Sequence, residues 1–335
     1  MTAGWEDVVA RVRGLASRRL GRDAIERLAM SRDLDGFVKQ LDSTVYASAA
    51  SLTPLQPERI ERETRRIAGD RVTIIATWCG DRAELLAPLF EDEDRRSLRA
   101  IVRSIAAHTP AQQCAAGLLP TPALPVAALD ELSRRERLRD VAATLTAWGN
   151  PYGSAMMPEA LRDTPDLFAL QLAIDQAYAS RAVPIAERAG APMLWYVHML
   201  IDAENARAAL AVADRAVEHE VRSMFIEGGE LVPLELFTDL ATREPNDARS
   251  KLARVFGGTV LAPVVNGSGD ERYGATLTAM LRHLRRVTRV EPLSLSVVLH
   301  YVLELRAELQ DLARIIWGIA LQVPRRRLVA RLVTP

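Results

Sequence analysis

Two acidic segments are the first candidates for chemistry in this sequence. Glu91-Asp92-Glu93-Asp94 and Asp202-x-x-Asn205, the latter enclosing Glu204, could present carboxylates from two helices. Such a pair would suit a magnesium-dependent enzyme acting on a diphosphate, because Mg²⁺ takes carboxylate and phosphate oxygens in octahedral geometry. Neither segment has a paired Asp-Asp-x-x-Asp pattern. Acids ahead of Leu98 and Ala209 read more simply as helix-start residues favoured by the macrodipole, and their spacing predicts that Asp94 and Asn205 lie apart. Nucleotide hydrolysis through a P-loop is excluded, since that loop needs Gly-x-x-x-x-Gly-Lys and the only lysines, Lys39 and Lys251, follow Val38 and Ser250. Gly267-Ser268-Gly269 lacks the third glycine of a dinucleotide fingerprint and reads as a loop. The histidines His108, His198, His219, His283 and His300 include no pair at i+3 or i+4, and none follows a Glu by three residues, so no helical zinc or di-iron signature is present. His198 and His300, beside Tyr196 and Tyr301, read as core or interface residues. No Gly-x-Ser-x-Gly elbow exposes a serine. No catalytic, cofactor-binding or metal-binding residue is therefore assigned.

The bulk properties agree with an ordinary globular protein. The chain has 335 residues, with 43 basic and 43 acidic side chains and a net charge of zero, which gives no electrostatic case for nucleic-acid binding. Apolar residues make up 49% and charged ones 26%, an ordinary soluble balance. The charged opening residues predict no secretory leader. The uncharged run Ser104–Leu129 holds Pro110, Pro120, Pro122 and Pro125, which would break a spanning helix. Cys79 and Cys114 form no Cys-x-x-Cys pair, and a reducing, cytoplasmic setting is expected. Arg outnumbers Lys by 41 to 2, and the arginines read as spread along solvated helical faces.

The elements that must position these residues are helical. Apolar residues recur at helical spacing nearly throughout, as at Val8, Val12, Leu15 and Leu277, Leu281, Leu284, so the class is all-α. Helix-breaking segments are expected at Leu52–Pro57, Gly117–Pro125, Gly149–Pro158, Gly190–Pro192, Gly228–Pro233 and Gly257–Gly269. One apolar template occurs three times: Leu20, Ile25, Leu28, Leu41; Leu124, Leu129, Leu132, Leu145; and Val232, Phe237, Leu240, Leu252. Each copy runs into a turn, at Ser43–Tyr46, Gly149–Tyr152 and Gly257–Val260. A second template, a polar residue followed at +4 and +7 by apolar ones, occurs at Asp94, Asn205 and Glu308. The two templates swap order along the chain, so the repeat is circularly offset. Three lobes are predicted: residues 1–55 joined with 270–332, then 57–155, then 160–264. The helix bearing Arg11–Leu20 should pack with the one bearing Glu308–Ile319.

Several short motifs, in order along nearly the whole chain, resemble the C subunit of the archaeal and bacterial V/A-type rotary ATPases, equivalent to the d subunit of vacuolar ATPases. Ala10-Arg11-x-Arg13 with Ser17 and Leu20 is similar to the opening helix of that family, and Leu41-x-x-Thr44-x-Tyr46 to its turn. Asp202-x-x-Asn205, Gly228-Gly229-x-Leu231, Pro292-Leu293-Ser294, Tyr301, Glu304 and Glu308 match further parts. Asp7-Val8 and Trp317-Gly318 depart from the pattern. The resemblance implies three similar helical lobes in a funnel with pseudo-threefold symmetry. It implies a non-catalytic rotor component on the cytoplasmic face of the membrane, a socket coupling the D–F central shaft to the membrane rotor ring, with no cofactor, small-molecule substrate or nucleic acid. An α-solenoid scaffold, stacking its repeats in an open row, and the magnesium-dependent enzyme are the alternatives.

Overall fold

A computed structural model describes residues 4–213, 221–265 and 269–335, and every regular element among them is helical. After α1 (Glu6–Ala16) come the short α2 (Arg22–Ala29) and α3 (Leu34–Leu41), a 3-10 turn at Ala47–Ser51, and two long helices, α4 (Pro57–Cys79) and α5 (Ala87–Ala106). The one-and-a-half-turn α6 (Ala111–Ala116) leads to a second series: α7 (Val126–Ser133), α8 (Leu138–Ala147), α9 (Pro151–Ala160), then the long α10 (Leu167–Ala189) and α11 (Ala191–Ala213). The third series is α12 (Leu234–Ala241), α13 (Pro245–Phe256), a 3-10 turn at Ala262–Val265, and the long α14 (Gly269–Val290) and α15 (Leu295–Ala320), before the terminal α16 (Arg325–Ala330). Two short helices and, further on, two long ones thus occur three times, with a 3-10 turn between the pairs in the first and third series and α9 in the second.

Local chemistry sets these boundaries. Asp33, Asn150, Asp166 and Ser294 accept hydrogen bonds from the first free amides of α3, α9, α10 and α15. Pro57, Pro151 and Pro245 occupy first helical positions, where no amide is needed. Gly190, at φ 100°, turns the chain between α10 and α11 in a conformation that only glycine adopts readily. Two expected breaks are corrected. Pro192 sits in the first turn of α11 and is tolerated there, and Pro158 lies inside the ten-residue α9, so Gly149–Pro158 is mostly helix.

All twelve residues of the first apolar template are buried. Leu20, Ile25, Leu28, Phe37 and Leu41 form a small core with Ile60 of α4 and Leu312, Ile315 and Ile316 of α15. The other two copies belong to one continuous larger core. α15 packs against α1, α2, α3 and α4; α5 against α6, α7 and α10; α11 against α12 and α13. The chain's beginning meets its end. Arg13 donates to the Pro292 carbonyl (2.7 Å), the Leu20 amide to Glu308 (3.0 Å), and Arg22 to the Thr334 carbonyl (3.1 Å). α1 itself stops at Ala16, so the Ser17–Leu20 stretch that touches α15 is a turn and not a continuation of the helix.

Candidate functional site: an arginine-lined cavity where three long helices meet

α11 is apolar on nearly every face, which marks a helix surrounded by protein. Any charge on it must then be paired, and Glu204 is. Arg95 of α5 donates to Glu204 (2.9 Å), to Asp175 of α10 (2.7 Å) and to Asp92 one turn before it (2.7 Å). Arg306 of α15 pairs with Asp92 (2.9 Å) and with Glu93. Arg99 adds bonds to Asp175 and Glu204, Arg96 to Asp92, and Tyr196 donates its hydroxyl to Asp92 (2.7 Å). Burial alone would raise the Asp92 carboxyl, but the guanidiniums of Arg96, Arg306 and Arg95 hold it well below its ordinary range. Glu204 is likewise lowered against burial, by Arg207, Arg99 and Arg95. α5, α11 and α15 are joined at this network.

Beside it opens a cavity of about 840 Å³, walled by α4, α5, α11, α14 and α15. Eight of its lining residues are arginines, Arg65, Arg95, Arg96, Arg99, Arg103, Arg207, Arg306 and Arg314, whereas among the described residues Glu93 and Glu204 are the only acids on its wall. Tyr273 lies under the Arg96 guanidinium at 4.9 Å. Such a wall offers many N–H donors in fixed forks and few acceptors. Its chemistry is recognition of anionic groups.

The acidic segments therefore do something other than expected. α5 begins at Ala87 and α11 at Ala191, so Asp92 and Glu204 sit well inside their helices and the macrodipole reading fails. Their role is ionic cross-linking, and Arg95 brings the two segments together. Asp94 and Asn205 themselves engage different groups, Thr121 and Ile226. Among the described residues no three His, Cys, Asp or Glu side chains are grouped to hold a metal ion. The arginines, read from sequence as solvated, were the missed residues; the apolar surroundings of Glu204 were the available signal.

The motif residues fall into two buried clusters and an exposed stripe. Glu308, fully buried, accepts from the Leu20 amide and from the Tyr46 hydroxyl (2.6 Å), and Arg71 lies 5.3 Å over the Tyr46 ring. Arg19 bridges Glu308 to Glu304 (2.8 Å to the latter), and Tyr301 is buried nearby, its acidity lessened by burial. In the second cluster Asp202 accepts the amides of Glu230, Leu231 and Val232 (3.1, 2.9 and 2.9 Å). Asn205 makes a two-way pair with the backbone of Ile226. Gly228 has φ 98°, and a β-carbon at Gly229 would collide with the Asp202 carboxylate, so both must be glycine for the loop to close. Arg11, Arg13 and Ser17 are exposed at α1 and its end, Arg11 lying over the Trp78 ring. None of the motif residues lines the cavity.

A common device links the two templates. Leu20 and Val232, the first positions of their copies, give their amides to Glu308 and Asp202. Leu124, the third, gives its amide to Thr121, whose hydroxyl donates to Asp94 (3.0 and 2.5 Å). The residue corresponding to Asp94 and Glu308 is thus Asp202 and not Asn205. Ala206 and Ala209, both buried, fit its +4 and +7 positions equally well. His198 faces Glu230, His283 stacks on Trp195, and His219 lies outside the described residues.

Burial and the acids Glu91, Glu93 and Asp92 push Asp94 up to about 7, against the pull of Thr121. A carboxyl that holds its proton more tightly in the folded state weakens the fold as pH rises. The loss begins near the unfolded value of 3.8 and levels off above about 7. Asp94→Asn, which keeps an acceptor for Thr121, is expected to be more stable relative to the parent at pH 8 than at pH 5. Urea titrations should give a difference between the two pH values of about 2–3 kcal/mol. A difference that is flat or reversed in sign would mean that Asp94 is ionised in the fold.

Comparison with known proteins covers almost the entire chain. Residues 8–331 match the family model described as ATP synthase (C/AC39) subunit. A Halobacterium salinarum protein, named as the C subunit of an A-type ATP synthase, is 25% identical over 334 residues, 94% of each chain. The Pyrococcus horikoshii protein of the same name is 26% identical over 317 residues, 90% of this chain and 83% of its own. That of Haloferax volcanii is 21% identical, over 93% and 92%.

Proposed function

Since the chain belongs to the ATP synthase (C/AC39) subunit family, we propose that it is the non-catalytic central-stalk socket of a V/A-type rotary ATPase. In this reading the arginine-lined cavity receives the tip of the D–F shaft. The opposite face rests on the membrane rotor ring, on the cytoplasmic side. Among the described residues no helix is long and apolar enough to cross a membrane, so attachment would be through the ring. The three similar series of helices would form three lobes in a funnel, with α5, α11 and α15 meeting at its floor.

The observation that carries this reading is the cavity at the junction of the three helices, held by ion pairs that reach across all of them. Torque passes through a part only if that part does not deform, and buried arginine ion pairs between helices fix their relative positions with directional, charge-assisted bonds. The closure of residues 13–22 onto residues 292–334 favours three lobes around an axis over an open solenoid, whose first and last repeats do not touch. The contact with the shaft should bury about 1,000 Å² or more.

The test is reconstitution. Rotor ring, shaft and ATPase head are assembled with and without this chain and scored for ATP-driven ion pumping. Pumping that requires the chain, with hydrolysis running uncoupled in its absence, is the expected result. Equal pumping in both assemblies would sink the proposal.

A further inference from the structure

The cavity wall has a consistent polarity. The side chains of Asp92, Asp175 and Glu204 are 0%, 7% and 9% exposed, whereas those of Arg99, Arg96 and Arg207 are 21%, 28% and 42% exposed. Around the buried Arg95 and Arg306, carboxylates form the inner layer and the guanidiniums of Arg96, Arg99 and Arg207 the outer one. Arg96, Arg99 and Arg103 follow at i, i+3 and i+7 along one face of α5. The side-chain bond of Arg103 goes to the neutral Gln171 carbonyl (3.1 Å) and not to a carboxylate. The wall therefore carries its cations toward the opening while its buried acceptors are already engaged by those same cations.

We propose that the partner segment entering this cavity is an acidic helical end, whose carboxylates take the outward N–H groups of Arg99, Arg103 and Arg207. The inference rests on the socket reading above and adds the chemistry of the inserted segment. A volume of about 840 Å³ accommodates about two turns of a helix 10 Å across. An apolar tip of that size would strip water from guanidiniums without replacing their acceptors, an unfavourable exchange. A carboxylate-bearing tip replaces water with charge-assisted, bidentate bonds. A small free polyanion shares this chemistry, and the experiment separates the two.

The full-length chain is titrated with three probes: the D–F shaft, a twelve-residue Glu/Ala helical peptide beside its Gln/Ala counterpart, and sodium pyrophosphate. Shaft affinity is expected to fall about tenfold between 50 and 300 mM NaCl. Arg103→Glu, at an exposed position where the fold should persist as checked by circular dichroism, is expected to weaken shaft binding about tenfold, and Arg103→Gln by less. The Glu/Ala peptide should bind and the Gln/Ala peptide should not. Shaft binding that ignores salt and both variants overturns the acidic tip while leaving the socket standing. A shaft that does not bind, beside a Glu/Ala peptide that binds through Arg103, overturns the socket while leaving acidic-helix recognition standing. Pyrophosphate that binds and displaces the shaft while the Glu/Ala peptide does not bind overturns the proposal in favour of a small-anion site.

Discussion

Arg95→Ala is expected to lower the melting temperature by roughly 10 °C, the product of a loss of about 3–5 kcal/mol and the shift per kcal/mol of a chain this long. Arg95 is 3% exposed and neutralises Asp92, Asp175 and Glu204 at once. Deleting it leaves three inward carboxylates sharing Arg96, Arg99, Arg207 and Arg306. Breaking a buried ion pair from one side is much worse than never having built it, since the remaining charges stay out of water. Asp175, already pushed upward by burial and by Glu204, is the group expected to take up a proton in response. The variant should therefore recover part of its stability as pH falls from 8 to 5. Arg95→Lys should recover little, because one ammonium cannot reach three carboxylates on three helices. A melting temperature within about 2 °C of the parent would show that the surrounding arginines suffice.

Glu308→Ala should have an effect of similar size but different distribution. It strands the Leu20 amide and the Tyr46 hydroxyl, both partners of one fully buried carboxylate, and leaves Arg19 with Glu304 alone. Each unpartnered buried group costs about 1–3 kcal/mol, so the sum is about 3–5 kcal/mol once partial relaxation is allowed. Amide hydrogen exchange should speed up mainly at residues 20–46, which depend on α15 for their core, and far less in α7–α9. Glu308→Gln keeps one acceptor and should cost about 1–2 kcal/mol. Uniform loss of protection along the chain would mean that this carboxylate supports the whole molecule and not its first segment.

The helices were legible in the sequence because burial imposes a 3.6-residue rhythm on each helix, and Ile25, Leu129 and Phe237 carry it without reference to partners. The fate of the charges was not. Asp92 and Glu204 were visible as acids, but Arg95 lies 80 residues from Asp175 and 109 from Glu204, and Arg306 lies 213 from Glu93. With 41 arginines in the chain, nothing local distinguishes Arg95 from one in solvent. The register of the second template slipped by three residues at Asn205, because the alanines around it satisfy an apolar pattern in either frame. Gly228 and Gly229 could be recognised as a motif, yet the carboxylate that forbids a side chain at Gly229 is 27 residues away and became visible only in three dimensions.

The bond between Leu20 and Glu308 spans 288 residues of chain. During synthesis the amino-terminal segment leaves the ribosome long before its partner has been made. At about 5–20 residues per second the wait is roughly 15–60 s. Throughout it Ile25, Leu28, Phe37, Val38 and Leu41 have no α15 to cover them. A nascent chain of this design is a natural client for a ribosome-associated holdase. Its amino-terminal segment can be completed only after α15 has been made.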